Sequence, residues 1–223
     1  MPFQIDLFNA AMLGTNFLYL LIMLVSSLLK KNKTMMSAPF ILFCAMITGL
    51  QLVSCLEWLQ KVLSYSLSVY KGLFVADFSL SYFAGAMFYW YVHTYIYALK
   101  NPQKDQRPAS DRRLIRIILL SGLLTCGLFA LSLETGWFYT FDANGYEAYT
   151  DAYPFLFLLA SLWPVLNLIR IFRNRKVFSP LSLILFLSYI LVPLLLFVVD
   201  ATYMLALGPI STSLVFLLIY TRI

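Results

Sequence analysis

The chain has 223 residues, of which 61% are hydrophobic and only 12% are charged, and its formal net charge at pH 7 is +6. This composition leaves too little polar surface to cover a water-soluble globule, so it excludes a soluble domain and predicts a protein whose solvent is the lipid bilayer. The positive charge does not indicate a nucleic-acid partner, because no basic stretch is interleaved with aromatic residues in a soluble module.

Seven apolar stretches are each long enough to cross a bilayer, for which a helix needs about 20 mostly apolar residues. In chain order they cover residues 8–29, 36–59, 74–99, 113–134, 154–172, 179–199 and 203–221. The pattern predicts an all-α fold, with residues 1–223 forming a single seven-helix domain in the plasma membrane. Residues 1–6 carry no basic side chain, so we expect the first helix to stay as an anchor and not to be removed as a signal peptide.

The loops differ in charge from one face to the other. Fourteen of the 16 lysines and arginines lie on the face where the odd-numbered spans end. Only Lys61 and Lys71 lie on the opposite face. Because basic loops stay in the cytoplasm, this predicts an extracytoplasmic N-terminus and a cytoplasmic C-terminus. Of the ten acids, only Asp105 and Asp111 lie on that basic side, so the outer mouth is expected to attract a cationic or zwitterionic ligand.

A ligand site is predicted from polar and aromatic residues in the outer half of the spans. Ionisable groups in hydrocarbon cost several kcal/mol, so those within spans are functional candidates, although carboxylates near a helix end can also reach interfacial water. Aromatic rings can surround a cation, although core packing is the alternative. The predicted ligand-binding residues are Glu57, Trp58, Asp77, Tyr82, Asp200 and Tyr203.

The loop between the fourth and fifth spans has the pattern of a hairpin. Residues 137–141 and 146–149 are rich in strand formers and flank Asn144-Gly145, a dipeptide that favours a tight turn. We predict a short extracytoplasmic β-hairpin, which would form a lid over the bundle or an anchor on the headgroups. The predicted lid residues are Tyr139, Phe141, Tyr146 and Glu147.

Three prolines, Pro164, Pro193 and Pro209, interrupt the last three predicted spans. Each removes a backbone hydrogen bond, so these positions are predicted hinges, with a static kink as the alternative.

The sequence contains no pattern typical of an enzyme or a metal site. There is one histidine, His93, with no neighbouring cysteine or histidine, and there is no glycine-rich phosphate loop and no nucleophile with an obvious base. We therefore expect no metal, no cofactor and no catalytic centre within the chain.

A resemblance to a known family is carried by two parts of the sequence. One is the hairpin segment 137–142 with the following Tyr146, and the other is the last span, where Ile-Ser-Thr-Ser-Leu at 210–214 runs into 217–220. Together with the seven-span plan and short cytoplasmic loops, they resemble the seven-helix sensor region that precedes GGDEF-type diguanylate cyclase domains in bacteria. The resemblance implies that the outer half receives a small molecule, and that the seventh helix transmits a shift through residues 220–222 to a cytoplasmic output domain. It also implies that the chain is the input domain of a longer receptor.

The main alternative is a small-molecule transporter or permease. Carriers built from two three-helix halves should show an internal repeat, and spans one to three do not match spans five to seven. A retinal photoreceptor is disfavoured because the seventh span has no lysine for a Schiff base. The expected partners are the bilayer, a small-molecule ligand and a cytoplasmic signalling domain in the same chain, with a homodimer as an open alternative and no nucleic acid.

Overall fold

The computed structural model describes residues 2–63, 66–104, 108, 110–141, 147–203 and 206–222. Seven α-helices dominate these residues: α1 (Pro2–Leu29), α2 (Ser37–Leu63), α3 (Leu67–Lys100), α4 (Ser110–Thr135), α5 (Tyr153–Arg173), α6 (Pro180–Tyr203) and α7 (Leu207–Arg222). A 3₁₀ turn (Arg175–Val177) and two strands, β1 (Tyr139–Phe141) and β2 (Glu147–Tyr149), complete the described structure. The all-α prediction is confirmed, although α3 begins well before the predicted residue 74.

The long apolar helices indicate a membrane protein. Within the described ranges, four helical segments are long and apolar enough to cross a bilayer, namely Gln4–Leu29, Ser37–Gln60, Leu67–Lys100 and Ser110–Thr135. The apolar segments Pro180–Leu196 and Leu207–Thr221 are shorter. Large side chains such as Leu120 and Leu123 on α4 are each 69% exposed, as expected for a surface that faces lipid.

Helix α3 lies at the centre of the packing. It contacts α2, α4 and α5, while α1 packs on α2 and α7, and α6 packs on α5 and α7. All helices except α4 therefore close a ring, and α4 packs against the outside of α3. Gly122 permits this approach, because the ring of Phe83 occupies the space that a Cβ atom would take.

The two ends of the bundle differ in their cores. We call the end where α1, α3, α5 and α7 terminate the basic end, and the end where they begin the acidic end. An aromatic core fills the basic half, where the ring of Phe43 lies 5.2 Å from that of Phe88 and 4.9 Å from that of Phe216. Phe88 in turn lies 4.3 Å from Tyr189 of α6. The acidic half contains two smaller apolar clusters, one beneath β1 and one joining α1, α2 and α7.

Strands β1 and β2 pair antiparallel, with Tyr139 opposite Tyr149. The hydroxyl of Tyr139 donates a hydrogen bond to the carbonyl oxygen of Phe129, and its ring lies 4.8 Å from that of Phe74. This burial raises the pKa of Tyr139 to about 12. The strand pair therefore packs on α3 and α4. The predicted turn, residues 142–146, lies outside the described residues.

Two of the three prolines lie inside helices, as predicted. Pro164 is within α5 and Pro193 is within α6. Pro209 differs from the prediction, because α6 ends at Tyr203 and α7 begins at Leu207, so this proline lies in the first turn of α7. Proline is well tolerated there, since the first N–H groups of a helix have no intrahelical partner. Pro209 therefore does not interrupt α7.

Candidate functional site

Asp77 lies at the contact between α3 and α2 in the acidic half. The hydroxyl of Ser54 donates a hydrogen bond of 2.9 Å to Oδ1 of Asp77. Ser54 is buried and Asp77 is half-buried. Hydrogen bonds to an ionised acceptor are stronger than neutral ones, so this contact ties the two helices together and turns the carboxylate toward the bundle interior.

The start of α7 is held by two buried amides. Gln51 lies one turn before Ser54 on the same face of α2, and its Nε2 donates a 2.7 Å hydrogen bond to the carbonyl oxygen of Pro209. The Oε1 atom of Gln51 is buried and has no hydrogen-bond partner within the described ranges. From α1, Oδ1 of the buried Asn9 accepts a 3.2 Å hydrogen bond from the backbone N–H of Ala206. We call Asn9, Gln51, Ser54 and Asp77 the polar layer.

Two further predicted residues on α2 share the face that carries the polar layer. Glu57 and Trp58 follow Ser54 by three and four residues, which places all three on one side of a helix. Trp58 packs against the apolar cluster that includes Leu13 and Ile210. Trp58 therefore lies at the interface of α1, α2 and α7.

Tyr82 lies on a different side of α3. Five residues separate it from Asp77, which corresponds to about 140° around a helix. Its ring is buried and lies 6.3 Å from that of Trp163 on α5. The structure therefore does not bring Tyr82 together with Asp77 and Trp58. The side chains of Asp200 and Tyr203, at the end of α6, lie outside the described residues.

The predicted lid packs on the start of α3. Phe141 lies 5.3 Å from Phe74, and Nζ of Lys71 lies 5.6 Å from the centroid of the Phe141 ring. Tyr139 and Phe141 therefore cover the acidic ends of α3 and α4. Tyr146 and the side chain of Glu147 lie outside the described residues.

Sequence reasoning missed a cluster of charged residues at the basic end. Nε2 of His93 on α3 lies 3.4 Å from Oδ1 of Asp111 on α4, and Arg170 on α5 donates a hydrogen bond to Nδ1 of His93. Arg170 also donates a 2.7 Å hydrogen bond to the hydroxyl of Tyr89, and the indole N–H of Trp90 donates one of 3.1 Å to Asp111. A guanidinium has no acceptor, so Nδ1 of His93 is the acceptor in its bond with Arg170. We call His93, Asp111 and Arg170 the ionic cluster.

The ionic cluster joins three consecutive helices, α3, α4 and α5. Asp111 is only 3% exposed, and burying a carboxylate is unfavourable unless it is paired. The sequence prediction placed Asp111 and Arg170 among solvated basic-end charges and treated His93 as a lone imidazole. The one available signal was a histidine in an apolar span whose neighbouring spans carry opposite charges at the same end.

Helices α3 and α5 approach closely around Gly85. A Cβ atom at Gly85 would lie 3.2 Å from Cβ of Trp163 and 3.4 Å from Cδ of Pro164. Nδ2 of Asn167 donates hydrogen bonds to the carbonyl oxygens of Gly85, at 3.1 Å, and Trp163, at 2.9 Å. The predicted hinge at Pro164 is therefore packed directly on α3.

No family model, no curated protein and no solved structure matches this chain. Its function is therefore inferred from its own residues and their geometry.

The two polar groups differ in what they can bind. In the ionic cluster, Asp111 and Arg170 have opposite charges and both contact His93, so their charges compensate each other. The polar layer presents acceptors, namely the carboxylate of Asp77 and the unpartnered Oε1 of Gln51. A carboxylate on α3 and an amide oxygen on α2 suit a ligand that donates hydrogen bonds and carries positive charge. In the part of the chain that the structure describes, no group of three His, Cys, Asp or Glu residues is arranged to hold a metal ion.

Proposed function

We propose that the chain is a seven-span sensor in the plasma membrane that binds a small cationic or zwitterionic ligand at its acidic end. The observation that carries this proposal is the hydrogen bond between Gln51 and the carbonyl of Pro209. It connects the face of α2 whose Ser54 donates a hydrogen bond to Asp77 of α3 with the first turn of α7. A ligand at Asp77 would therefore act directly on the helix that leads to the basic end.

The proposed topology has all seven helices crossing the membrane, with the N-terminus outside and the C-terminus in the cytoplasm. The loops at the basic end carry most of the lysines and arginines, which favours a cytoplasmic location. Cysteines introduced singly at Pro102 and Asp151 test this arrangement in intact cells. A membrane-impermeant thiol reagent should label position 151 and not position 102, and the reverse result would contradict the orientation.

Ligand binding would begin with competition for Asp77. An ammonium group that pairs with this carboxylate replaces the hydrogen bond from Ser54 and can donate a second bond to Oε1 of Gln51. Because Ser54 and Gln51 lie one turn apart, a change at the first position moves the second relative to Pro209. Helix α7 has 16 residues and is about 24 Å long, so a displacement of its start is carried to the basic end. The strand pair would cover the acidic end as a lid.

Signalling also requires that the ligand bind one arrangement of α7 more tightly than another. A cytoplasmic output domain attached after α7 would read the shift. A cysteine introduced at Thr221, which is exposed near the end of α7, should change its labelling rate when ligand is added. Replacing Gln51 by Met keeps the volume but removes the bond to Pro209, so this variant should bind ligand without the change in labelling.

Binding itself is tested with a panel of small ammonium compounds, including choline, glycine betaine and putrescine, in thermal unfolding of the purified protein. At least one should raise the unfolding temperature, and Asp77→Asn should weaken its binding about tenfold or more, since hydrogen bonds to charged groups contribute about 1.5–3 kcal/mol. The matched control is Asp151→Asn, which neutralises an exposed carboxylate. An equal response of both variants would remove Asp77 from the site.

Uptake into proteoliposomes separates the sensor from a transporter. A sensor binds the compound without accumulating it in the vesicle lumen. Net accumulation that depends on Asp77 would support a permease and contradict the sensor.

A further inference from the structure

A cavity of about 170 Å³ opens between α1, α2 and α7 at the basic end of the bundle. It is far larger than the ~15 Å³ that one water molecule requires. Its walls include Ser27 and Lys30 from the end of α1, Ser37 and Phe40 from the start of α2, and Tyr220 near the end of α7. The polar layer lies at the opposite end, so this cavity is separate from the proposed ligand pocket.

The cavity has an uncompensated positive charge. Nζ of Lys30 lies 5.8 Å from the centroid of the Tyr220 ring, at the cavity wall. No carboxylate lines the cavity within the described ranges, and the chain has no acidic residue between Asp6 and Glu57. The nearby charges therefore favour an anion.

A second lysine, Lys33, occupies the carbonyl oxygens at the end of α1 that would otherwise attract the ammonium group of Lys30. The last carbonyls of a helix carry partial negative charge. At the end of α1, Nζ of Lys33 donates hydrogen bonds to the carbonyl oxygens of Ser27, at 3.2 Å, and Leu28, at 2.9 Å. Lys33 thus caps α1, and the ammonium group of Lys30 is left for the cavity.

One further donor, the hydroxyl of Ser27, lies at the cavity wall beside the start of α2. The hydroxyl of Ser27 is buried, with the residue 6% exposed, and it has no hydrogen-bond partner among the residues that the structure describes. An unpartnered buried hydroxyl is unfavourable, and a ligand oxygen would satisfy it. Ser37 begins α2, and its hydroxyl accepts a 2.9 Å hydrogen bond from the backbone N–H of Thr34. The backbone N–H groups of Ser37 and Phe40 bond to the carbonyl oxygens of Thr34 and Met36, and Pro39 has no N–H. The start of α2 therefore contributes the positive end of its dipole.

We propose that this cavity binds the phosphate group of an anionic phospholipid. Lys30 and Ser27 supply the donors, and the start of α2 adds its dipole. The apolar walls formed by Phe40, Ile41 and Ile219 suit the glycerol and upper acyl chains, which a free phosphate lacks. Basic pockets between membrane helices recognise lipid headgroups in this way. Because Tyr220 is part of the wall, a bound lipid holds the end of α7 against α1 and α2.

The test compares phosphatidylglycerol with phosphatidylcholine, each added to the purified protein in neutral detergent, by thermal unfolding and native mass spectrometry. Phosphatidylglycerol should bind and raise the unfolding temperature, and phosphatidylcholine should not. Lys30→Gln should weaken phosphatidylglycerol binding about tenfold or more, as expected for loss of a charged donor. Lys31→Gln is the matched control, because it makes the same charge change in the same loop at an exposed position outside the cavity wall. An equal loss in both variants would overturn the site.

A second variant separates binding from folding. Ser27→Ala removes the unpartnered hydroxyl, so the lipid-free protein should unfold at the same or a higher temperature while phosphatidylglycerol binds about two- to tenfold more weakly. Unchanged binding would overturn the role of Ser27. Inorganic phosphate is the third ligand to be compared. If it raises the unfolding temperature of the wild-type protein as much as the lipid does, and Lys30→Gln abolishes that effect, the cavity binds soluble phosphate and the lipid proposal is wrong.

Discussion

Neutralising Asp111 should destabilise the bundle through the ionic cluster. Asp111→Asn has nearly the same shape and keeps an acceptor for the indole N–H of Trp90, so the change removes mainly the charge. Arg170 then lacks its opposite charge across His93. Because Asp111 and Arg170 interact through His93 and not in direct contact, the expected loss is that of a hydrogen bond to a charged group, about 2 kcal/mol.

The assay is thermal unfolding of the protein in neutral detergent, followed by tryptophan fluorescence. For a chain of this size, 1 kcal/mol shifts the unfolding temperature by about 2–4 °C, so Asp111→Asn should lower it by about 4–8 °C. Arg170→Gln should cost a similar amount, because the carboxylate of Asp111 is 3% exposed and would lose the nearby positive charge of Arg170.

The double variant decides whether the charges act together. Asp111→Asn combined with Arg170→Gln removes both charges and should be more stable than the sum of the single losses predicts, by about 1–2 kcal/mol. Asp151→Asn is the control for an exposed carboxylate. Strictly additive losses, or an Asp111→Asn variant as stable as Asp151→Asn, would refute the cluster as a stabilising contact.

Two other contacts lead to measurable expectations. Gly85→Ala should destabilise by about 1–3 kcal/mol through overpacking, since its Cβ would lie 3.2 Å from Trp163. Gly127→Ala, with no atom within 4 Å of its Cβ, should stabilise α4 by up to about 1 kcal/mol; equal unfolding temperatures for the two variants would contradict close packing of α3 on α5. Tyr139→Phe should lower stability by about 1 kcal/mol at neutral pH, because the hydroxyl loses its bond to Phe129. Burial raises the pKa of Tyr139 from 10.0 to about 12, so the stability that its neutral form contributes is complete below pH 10 and is lost as pH rises toward 12. The variant should therefore lose less stability than the wild type over that interval in alkaline unfolding, and identical losses would argue against a buried phenol.

The positions of the helices were predictable from the sequence. Hydropathy and helix length are local properties, and the predicted spans agree with the observed helices to within a few residues at most ends. Two helix boundaries, the starts of α3 and α7, depend on tertiary contacts and could not be predicted from the sequence. Helix α3 begins at Leu67, where its first turns pack Tyr70 and Phe74 against Phe141 of β1. The break before α7 is fixed by the bond from Ala206 to Asn9, so Pro209 lies in a first turn and not in a helix interior.

The sequence by itself also determined which side chains share a face of one helix, since helical periodicity alone puts Ser54 and Trp58 on one side of α2. It could not determine which faces meet. Asp77 was predictable as a polar group within a span, but its partner Ser54 follows from the rotation of α2 against α3. His93, Asp111 and Arg170 lie on three helices, and only the packing of α4 and α5 on α3 brings them together. The physical reason is that helical periodicity is set within a single segment, whereas the pairing of faces depends on how all the helices rotate and cross.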